Sequence, residues 1–377
     1  MPVVRAKTMH LFSHQGLTDA QVANGQTNLE ELQARRTVLT SYPRRVVLEM
    51  TNACNIDCIM CGRDQAEFKQ TFLDLSTLAR LGETWHHSEE ATLCGWGEPT
   101  LYPKFGQLLA YLDDYPIKKY LVTNGTLLDK WIPELFKRQV AIVTISLDGA
   151  SPEVNDRIRR RAEFNQIVAN LKVLMETRRQ QGGTSPYVNL VITLMRSNLT
   201  ELPRLVMLAK ELGMEEVKAI YLSAFSQHLV EETLWGQEQR VAEVFAETTE
   251  LAERLGILLK LPYIQGEDVA GALSHKPCFV AWRDFFLGSD GYVRPCQSTA
   301  MKLFHVSRYG SFMEMWNADE FQSFRRRVND EATMPDECRR CYHAAHANWN
   351  KKESFIQLDV PFAPVWERTE HRRTGSP

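Results

Sequence analysis

The sequence predicts an α/β fold built on a parallel sheet. Three observations predict it. Between Arg45 and Leu222, six short runs rich in Val, Ile or Leu recur, and these read as strands. Each run ends in polar residues or glycine. A longer, helix-patterned stretch separates each run from the next, the alternation that builds a parallel sheet with right-handed crossovers. The chain has 377 residues, 44% hydrophobic and 24% charged, which is enough for one large core or two domains. Periodicity does not separate a doubly wound sheet from a barrel.

Residues 1–43 are polar and weakly patterned. A helix over 28–38 is expected there, with Asn28 as its cap. This segment is too short for a separate peptide-binding domain and is expected to pack on the body. Ser41-Tyr42-Pro43 then breaks the chain. The expected strands are 45–51, 91–94, 119–123, 141–147, 187–195 and 217–222, and the helices between them 76–88, 104–115, 127–138, 151–180 and 199–212. Ser151-Pro152-Glu153 opens the fourth helix, with Ser as the cap and Pro at the first position. An amphipathic helix over 235–256 and a last strand over 261–264 close this part, and 267–276 is loop-like.

Net charge of −3 gives no reason to expect nucleic acid or a membrane surface as partner. No apolar run approaches ~20 residues, the length of a bilayer span. The opening Met1-Pro2-Val3-Val4-Arg5 lacks the apolar core of a signal peptide. Eight cysteines in such a chain point to a reducing, cytoplasmic setting and metal ligation, not a disulfide framework.

Three of those cysteines stand in Cys54-Asn55-Ile56-Asp57-Cys58-Ile59-Met60-Cys61, directly after the first strand. In parallel β/α folds the chemistry gathers at the strands' C-terminal ends, so this loop lies on the chemical face. Three thiolates can hold three irons of a cubane iron–sulfur cluster and leave the fourth iron open to a small molecule. Zinc is the rival, since thiolates bind both, but structural zinc takes four ligands and this loop offers no fourth. So tight a loop suits disulfides poorly.

The other strand ends carry polar groups. Gly95-Trp96-Gly97-Glu98-Pro99 follows the second strand, with glycines that admit close backbone approach and a carboxylate for an ammonium group. Thr123-Asn124-Gly125-Thr126 follows the third. Ser146 and Asp148 follow the fourth and alternate onto one side, where they suit ribose hydroxyls. Met195-Arg196-Ser197-Asn198 follows the fifth. Taken singly, these read as ordinary turns, Asp148-Gly149 as a turn pair and Asn198 as a helix cap.

A second set, Cys278, Cys296, Cys338 and Cys341, frames a hairpin around Ser289-Asp290-Gly291, a helix over 311–328 and a C-x2-C knuckle. Four thiolates make a closed site for zinc or a [4Fe–4S] cluster.

The cysteine spacing, with family-like signatures at successive strand ends, resembles the radical S-adenosylmethionine (radical SAM) superfamily over roughly residues 44–265. The resemblance implies a partial (β/α)6 barrel of TIM type. It implies a SAM-binding [4Fe–4S] cluster on Cys54, Cys58 and Cys61, whose open iron chelates SAM, and an electron that releases a 5′-deoxyadenosyl radical to abstract hydrogen from substrate. It assigns Gly97, Glu98, Asn124, Ser146, Asp148, Arg196 and Asn198 to SAM binding, with Trp96 departing from the paired glycines of the family's Gly-Gly-Glu-Pro turn. The second cysteine set resembles the SPASM/twitch extension, in its short twitch form with one auxiliary [4Fe–4S] cluster, as in radical SAM cyclitol oxidases. The implied organisation is an extension (1–43), the barrel (44–265), the auxiliary domain (266–350) and a tail (351–377). A flavodoxin- or ferredoxin-type donor would supply the electron.

The expected activity is oxidation of an alcohol on a small molecule, a sugar, aminocyclitol or nucleoside of natural-product biosynthesis, or its dehydration or epimerisation. The alternative is a peptide maturase acting on a ribosomal peptide. From another class comes a non-catalytic zinc protein. Cys94 reads as a small buried wall residue, with a hydrogen-atom donor as the sharper reading. Arg157, Arg159, Arg160 and Arg161, and likewise Arg325-Arg326-Arg327, read as solvated helix faces, with phosphate recognition as the sharper reading of the first group. His343 and His346 read as a surface helix turn, and Trp282 and Tyr292 as packing of the small domain.

Overall fold

The computed structural model describes residues 16–62, 70–222, 224, 227–262, 278–296, 299, 301–330, 332–336, 338 and 339. Its strands, in chain order, are β1 (Arg45–Leu48), β2 (Asp57–Cys58), β3 (Glu90–Leu93), β4 (Lys118–Thr123), β5 (Ile142–Ser146), β6 (Arg159–Arg160), β7 (Tyr187–Leu194), β8 (Glu216–Tyr221), β9 (Leu258–Lys260), β10 (Asp284–Leu287), β11 (Tyr292–Arg294) and β12 (Phe304–His305). Ten of them form one sheet in the order β12-β11-β10-β1-β3-β4-β5-β7-β8-β9. From β10 to β9 every neighbouring pair is parallel. The order from β1 to β9 rises without reversal, which excludes a doubly wound sheet, whose order turns back at a switch point. It is the winding of a barrel, left open because the sheet ends at β9 and β12.

The six strands read from the sequence are β1, β3, β4, β5, β7 and β8. Their outward side chains, such as Leu93, Leu121, Val143, Ile145 and Leu190, are fully buried and join a single core. The last strand lies at Leu258–Lys260, a few residues before the expected 261–264. The opposite face carries Thr92, Tyr120, Thr144, Asn189, Glu216 and Lys218, all buried, so the inside of the barrel is polar.

The sheet is larger than six strands because the hairpin of the C-terminal region joins it. β10 pairs with β1 in parallel register, Val46 opposite Phe285 and Leu48 opposite Leu287. The turn falls at Ser289-Asp290-Gly291 as expected, with Gly291 at φ 75°. Sheet and core therefore run without interruption across the boundary drawn at 265/266. The helix expected over 311–328 is two, Phe312–Trp316 behind a Ser311/Glu314 capping box and Asp319–Arg327. Arg325 is not on a solvated face. It is 3% exposed, its guanidinium lies 4.4 Å from the Trp316 ring centre, and it donates to the carbonyls of Ala281 and Thr37. Trp282 is buried and donates to the Arg36 carbonyl, a packing role.

The N-terminal helix is Asp19–Gln33, capped by Thr18, so Asn28 lies inside it and caps nothing. Its buried face is Gln21, Asn24, Asn28 and Glu31. These side chains reach the segments that lead into the strands: Gln21 donates to the carbonyls of Ser88 and Pro116, Asn24 to Tyr42 and His87, and Asn28 to Trp282. The helix thus covers the N-terminal ends of the sheet with amides where hydrocarbon was sought. Among the described residues no helix is long and apolar enough to cross a membrane.

Candidate active site

The cysteine loop leaves β1 at its C-terminal end and is tied down from three sides. Thr51 Oγ1 accepts from Ala53 N at 3.0 Å and donates to the Thr71 carbonyl at 2.9 Å. Glu98 N donates to the Ala53 carbonyl at 2.7 Å. Gly97 lies so close that a Cβ there would sit 2.3 Å from the carbonyl oxygens of both Thr51 and Ala53. The glycine after β3 is therefore required by the cysteine loop, whatever it also offers a ligand.

The third side is a two-stranded sheet of β2 and β6, Cys58 opposite Arg159. The helix expected over 151–180 is interrupted. The structure has two, Pro152–Ile158 and Phe164–Gln180, parted at β6 by Arg161 at φ 69°. Neither glycine nor proline marks the break, so periodicity runs through it. Its consequence is that Arg159 is 7% exposed, not solvated. Arg159 Nε lies 2.7 Å from Asp148 Oδ2, and its Nη1 lies 3.8 Å from Cys58 Sγ.

The three thiols share one electrostatic environment. Burial pushes the Cys58 thiol up to about 12, Arg159 opposes this, and Cys61, Asp148 and Cys54 add to it. Thiolates so placed need a cation among them, which a bound metal supplies. Three thiols on one loop, one sulfur beside the Asn124 amide and another beside the Arg159 guanidinium, suit a cubane that takes three protein ligands. The donor set fits a cluster on Cys54, Cys58 and Cys61.

The remaining site residues fall into two groups. Asn124 faces the loop, with Nδ2 2.9 Å from Asn55 Oδ1 and 3.8 Å from Cys54 Sγ. Ser146 is half-buried on the polar inner face. The others hold the framework. Glu98 is 2% exposed and accepts from Thr100 N, Thr100 Oγ1, Thr123 Oγ1 and Asn124 N, joining two strand ends. Three of the four fall on Oε1 and one on Oε2. Asp148, fully buried, accepts from Thr193 N at 2.7 Å besides its pair with Arg159. Burial pushes its carboxyl up, against the pull of Arg159. Asn198 does not cap its helix through its side chain. It accepts from Met195 N and donates to the carbonyls of Asp148 and Thr193. Arg196 is exposed and donates through Nε and Nη2 to the carbonyls of Thr233 and Trp235, which ties it to that loop.

Sequence reasoning missed Glu49. It is 4% exposed, accepts from Trp96 N at 2.9 Å, and accepts from Ser289 N and Oγ at 3.2 and 2.9 Å. It joins the turn after β3 to the hairpin turn of the C-terminal region. The signal was present, a carboxylate inside the apolar run Val46–Met50. Cys94 directly follows β3, in step with Glu90 and Thr92 of the polar inner face, and is half-buried, not the fully buried wall residue expected. Burial pushes its thiol up to about 12, so it stays protonated at neutral pH. In the second cysteine set, Cys278 exchanges two hydrogen bonds with Asn329, and Cys278 and Cys338 pack against the main core. Cys296 is half-buried. Cys341, His343 and His346 lie outside the described residues.

Comparison with known proteins agrees with this anatomy. Residues 48–222 match the radical SAM superfamily model, and residues 278–342 the SPASM model, an iron–sulfur cluster-binding domain. The chain is 24% identical over 255 residues to the tungsten-containing aldehyde ferredoxin oxidoreductase cofactor-modifying protein of Pyrococcus furiosus, covering 66% of this chain and 69% of that one. It is 23% identical over 332 residues to the antilisterial bacteriocin subtilosin biosynthesis protein AlbA of Bacillus subtilis, covering 82% and 70%. The structure of Streptococcus suis SuiB bound to precursor peptide SuiA superposes with a TM-score of 0.61 at 14% identity, covering 87% of this chain and 74% of that one, a likeness of fold.

Proposed function

This chain is a radical SAM superfamily protein with a C-terminal SPASM domain, and from that premise we propose that it is an enzyme that modifies a peptide substrate. The observation that carries this reading is the match to AlbA, a bacteriocin biosynthesis protein, over 82% of this chain. The small-molecule oxidation expected from the sequence gives way to it. A cofactor-sized substrate is the second reading, favoured by the Pyrococcus relative, whose name marks it as cofactor-modifying.

When bound, the cluster and SAM supply one-electron cleavage of the sulfonium and thereby a radical that abstracts hydrogen. The chain's residues do the rest. Cys54, Cys58 and Cys61 hold three irons and leave the fourth without a protein ligand. Asn124 and Ser146 orient SAM above the loop. Glu98, Asp148 and Asn198 act as positioning residues that fix the strand ends carrying it. Glu49 holds the C-terminal hairpin turn against the turn after β3, which seats the auxiliary site beside the barrel mouth. Cys278, Cys296, Cys338 and Cys341 supply four thiolates, enough for one auxiliary cluster. Cys94 faces inward as a protonated thiol, placed either as wall or as hydrogen donor.

The test is anaerobic reconstitution with iron and sulfide analysis, then incubation with SAM and either short peptides encoded beside the gene or small metabolites. About eight irons per chain are expected. A peptide that raises deoxyadenosine release and changes mass supports the reading. Turnover of small molecules alone supports the second reading and overturns the first.

A further inference from the structure

We infer that Arg159 sets the reduction potential of the cluster held by Cys54, Cys58 and Cys61, with Asp148 as its counterweight. This rests on the radical SAM reading of the cysteine loop. The geometry is specific. The β2–β6 pairing places Arg159 opposite Cys58, and Ile59 N donates to the Ile158 carbonyl at 2.9 Å to continue it. Strand alternation turns Arg159 inward and Arg160 outward. Arg159, 7% exposed, has one carboxylate partner at 2.7 Å and one cysteine sulfur at 3.8 Å. Arg160 is exposed and pairs with Asp57 at 2.9 Å.

A buried guanidinium costs free energy that one carboxylate offsets incompletely. Thiolate ligation beside it completes the compensation. Reduction adds negative charge at the sulfurs, and hydrogen bonds and fixed charge there tune the potential of such clusters. A cation at Cys58 favours the reduced form. Asp148, 2.7 Å from that cation, works in the opposite direction. The charge of Arg160, in water and paired at the rim, is screened.

The experiment is a redox titration of the reconstituted full-length chain, followed by electron paramagnetic resonance. The signal that changes on adding SAM identifies the cluster concerned. Arg159→Gln is expected to disfavour reduction about tenfold, ~59 mV for a one-electron couple. Arg159→Lys should restore most of that. Asp148→Asn should shift the potential upward, and Arg160→Gln should leave it unmoved. An unmoved potential in Arg159→Gln with full iron content overturns the inference, as does Asp148→Asn shifting downward. Should Arg159→Gln fail to hold iron, Asp148→Asn decides alone, and no shift there overturns it. A wild-type chain with iron and sulfide but no SAM-responsive signal defeats the reading of the loop instead.

Discussion

The two ends of the same strands make opposite use of buried charge. At the N-terminal ends, Arg45 pairs with Asp284, Arg283 adds a second cation at 2.6 Å, and the amides of the Asp19–Gln33 helix close over the rim. Every interaction there joins framework to framework. At the C-terminal ends, Asp148 pairs with an arginine that touches a cysteine, and Glu98 steadies an asparagine that touches another. Buried polar groups must be paired wherever they lie. The lesson is that the partner distinguishes scaffold from site, not the burial.

If that distinction holds, losses at the two rims should separate. Cys58→Ala should abolish SAM cleavage and lower the iron count, while the unfolding midpoint of the protein without its clusters changes little. Retained deoxyadenosine release would break the assignment of the top rim. Asp284→Ala leaves the half-buried Arg45 without its main partner and should cost on the order of 3 kcal/mol in denaturant unfolding. SAM cleavage per folded molecule should be spared, and its loss would erase the contrast.

Acid should sharpen the comparison. Burial pushes the Asp284 carboxyl up, but Arg283 and Arg45 outweigh it and hold it at about 2, below its ordinary 3.8. A lowered folded value means stability present above the unfolded value and lost as pH falls from there through about 2. The pair's share is on the order of 2 kcal/mol, so the deficit of Asp284→Ala against wild type should shrink across that window. A deficit independent of pH would mean that charge is not what the rim contributes. The smallest effect is expected from Asn28→Ala, which removes donors to Ser41 Oγ and the Trp282 carbonyl and should cost about 1 kcal/mol.

The same contrast explains what could be read from sequence. The repeats from β1 to β8 announce themselves because hydrocarbon on their outer face meets helices. The cysteine loop and the strand-end turns are legible because their chemistry is local in sequence. The N-terminal helix is not, since its buried face is Gln21, Asn24, Asn28 and Glu31 and shows no apolar stripe. Arg159 is not, because a break without glycine or proline leaves helical patterning intact. Arg325 is not, because a guanidinium stacked on Trp316 looks in sequence like any charged helix residue. Glu98, Asp148 and Asn198 are assigned to SAM by the family resemblance. The bonds that tie them to Thr123, Asn124, Arg159 and Thr193, and Asn198 to the Asp148 carbonyl, cross between elements, which no local pattern records.

The parallel register of β10 on β1 means that the SPASM segment is stitched into the barrel and not hung from it. Cutting the chain after residue 265 would strip one side of β1 of its hydrogen-bonding neighbour and bare Val46 and Leu48 along an apolar margin. Margins of that kind recruit other chains. The shortened protein would polymerise before it could serve as a simpler enzyme, and exchanging this module between relatives would require the first strand to travel with it.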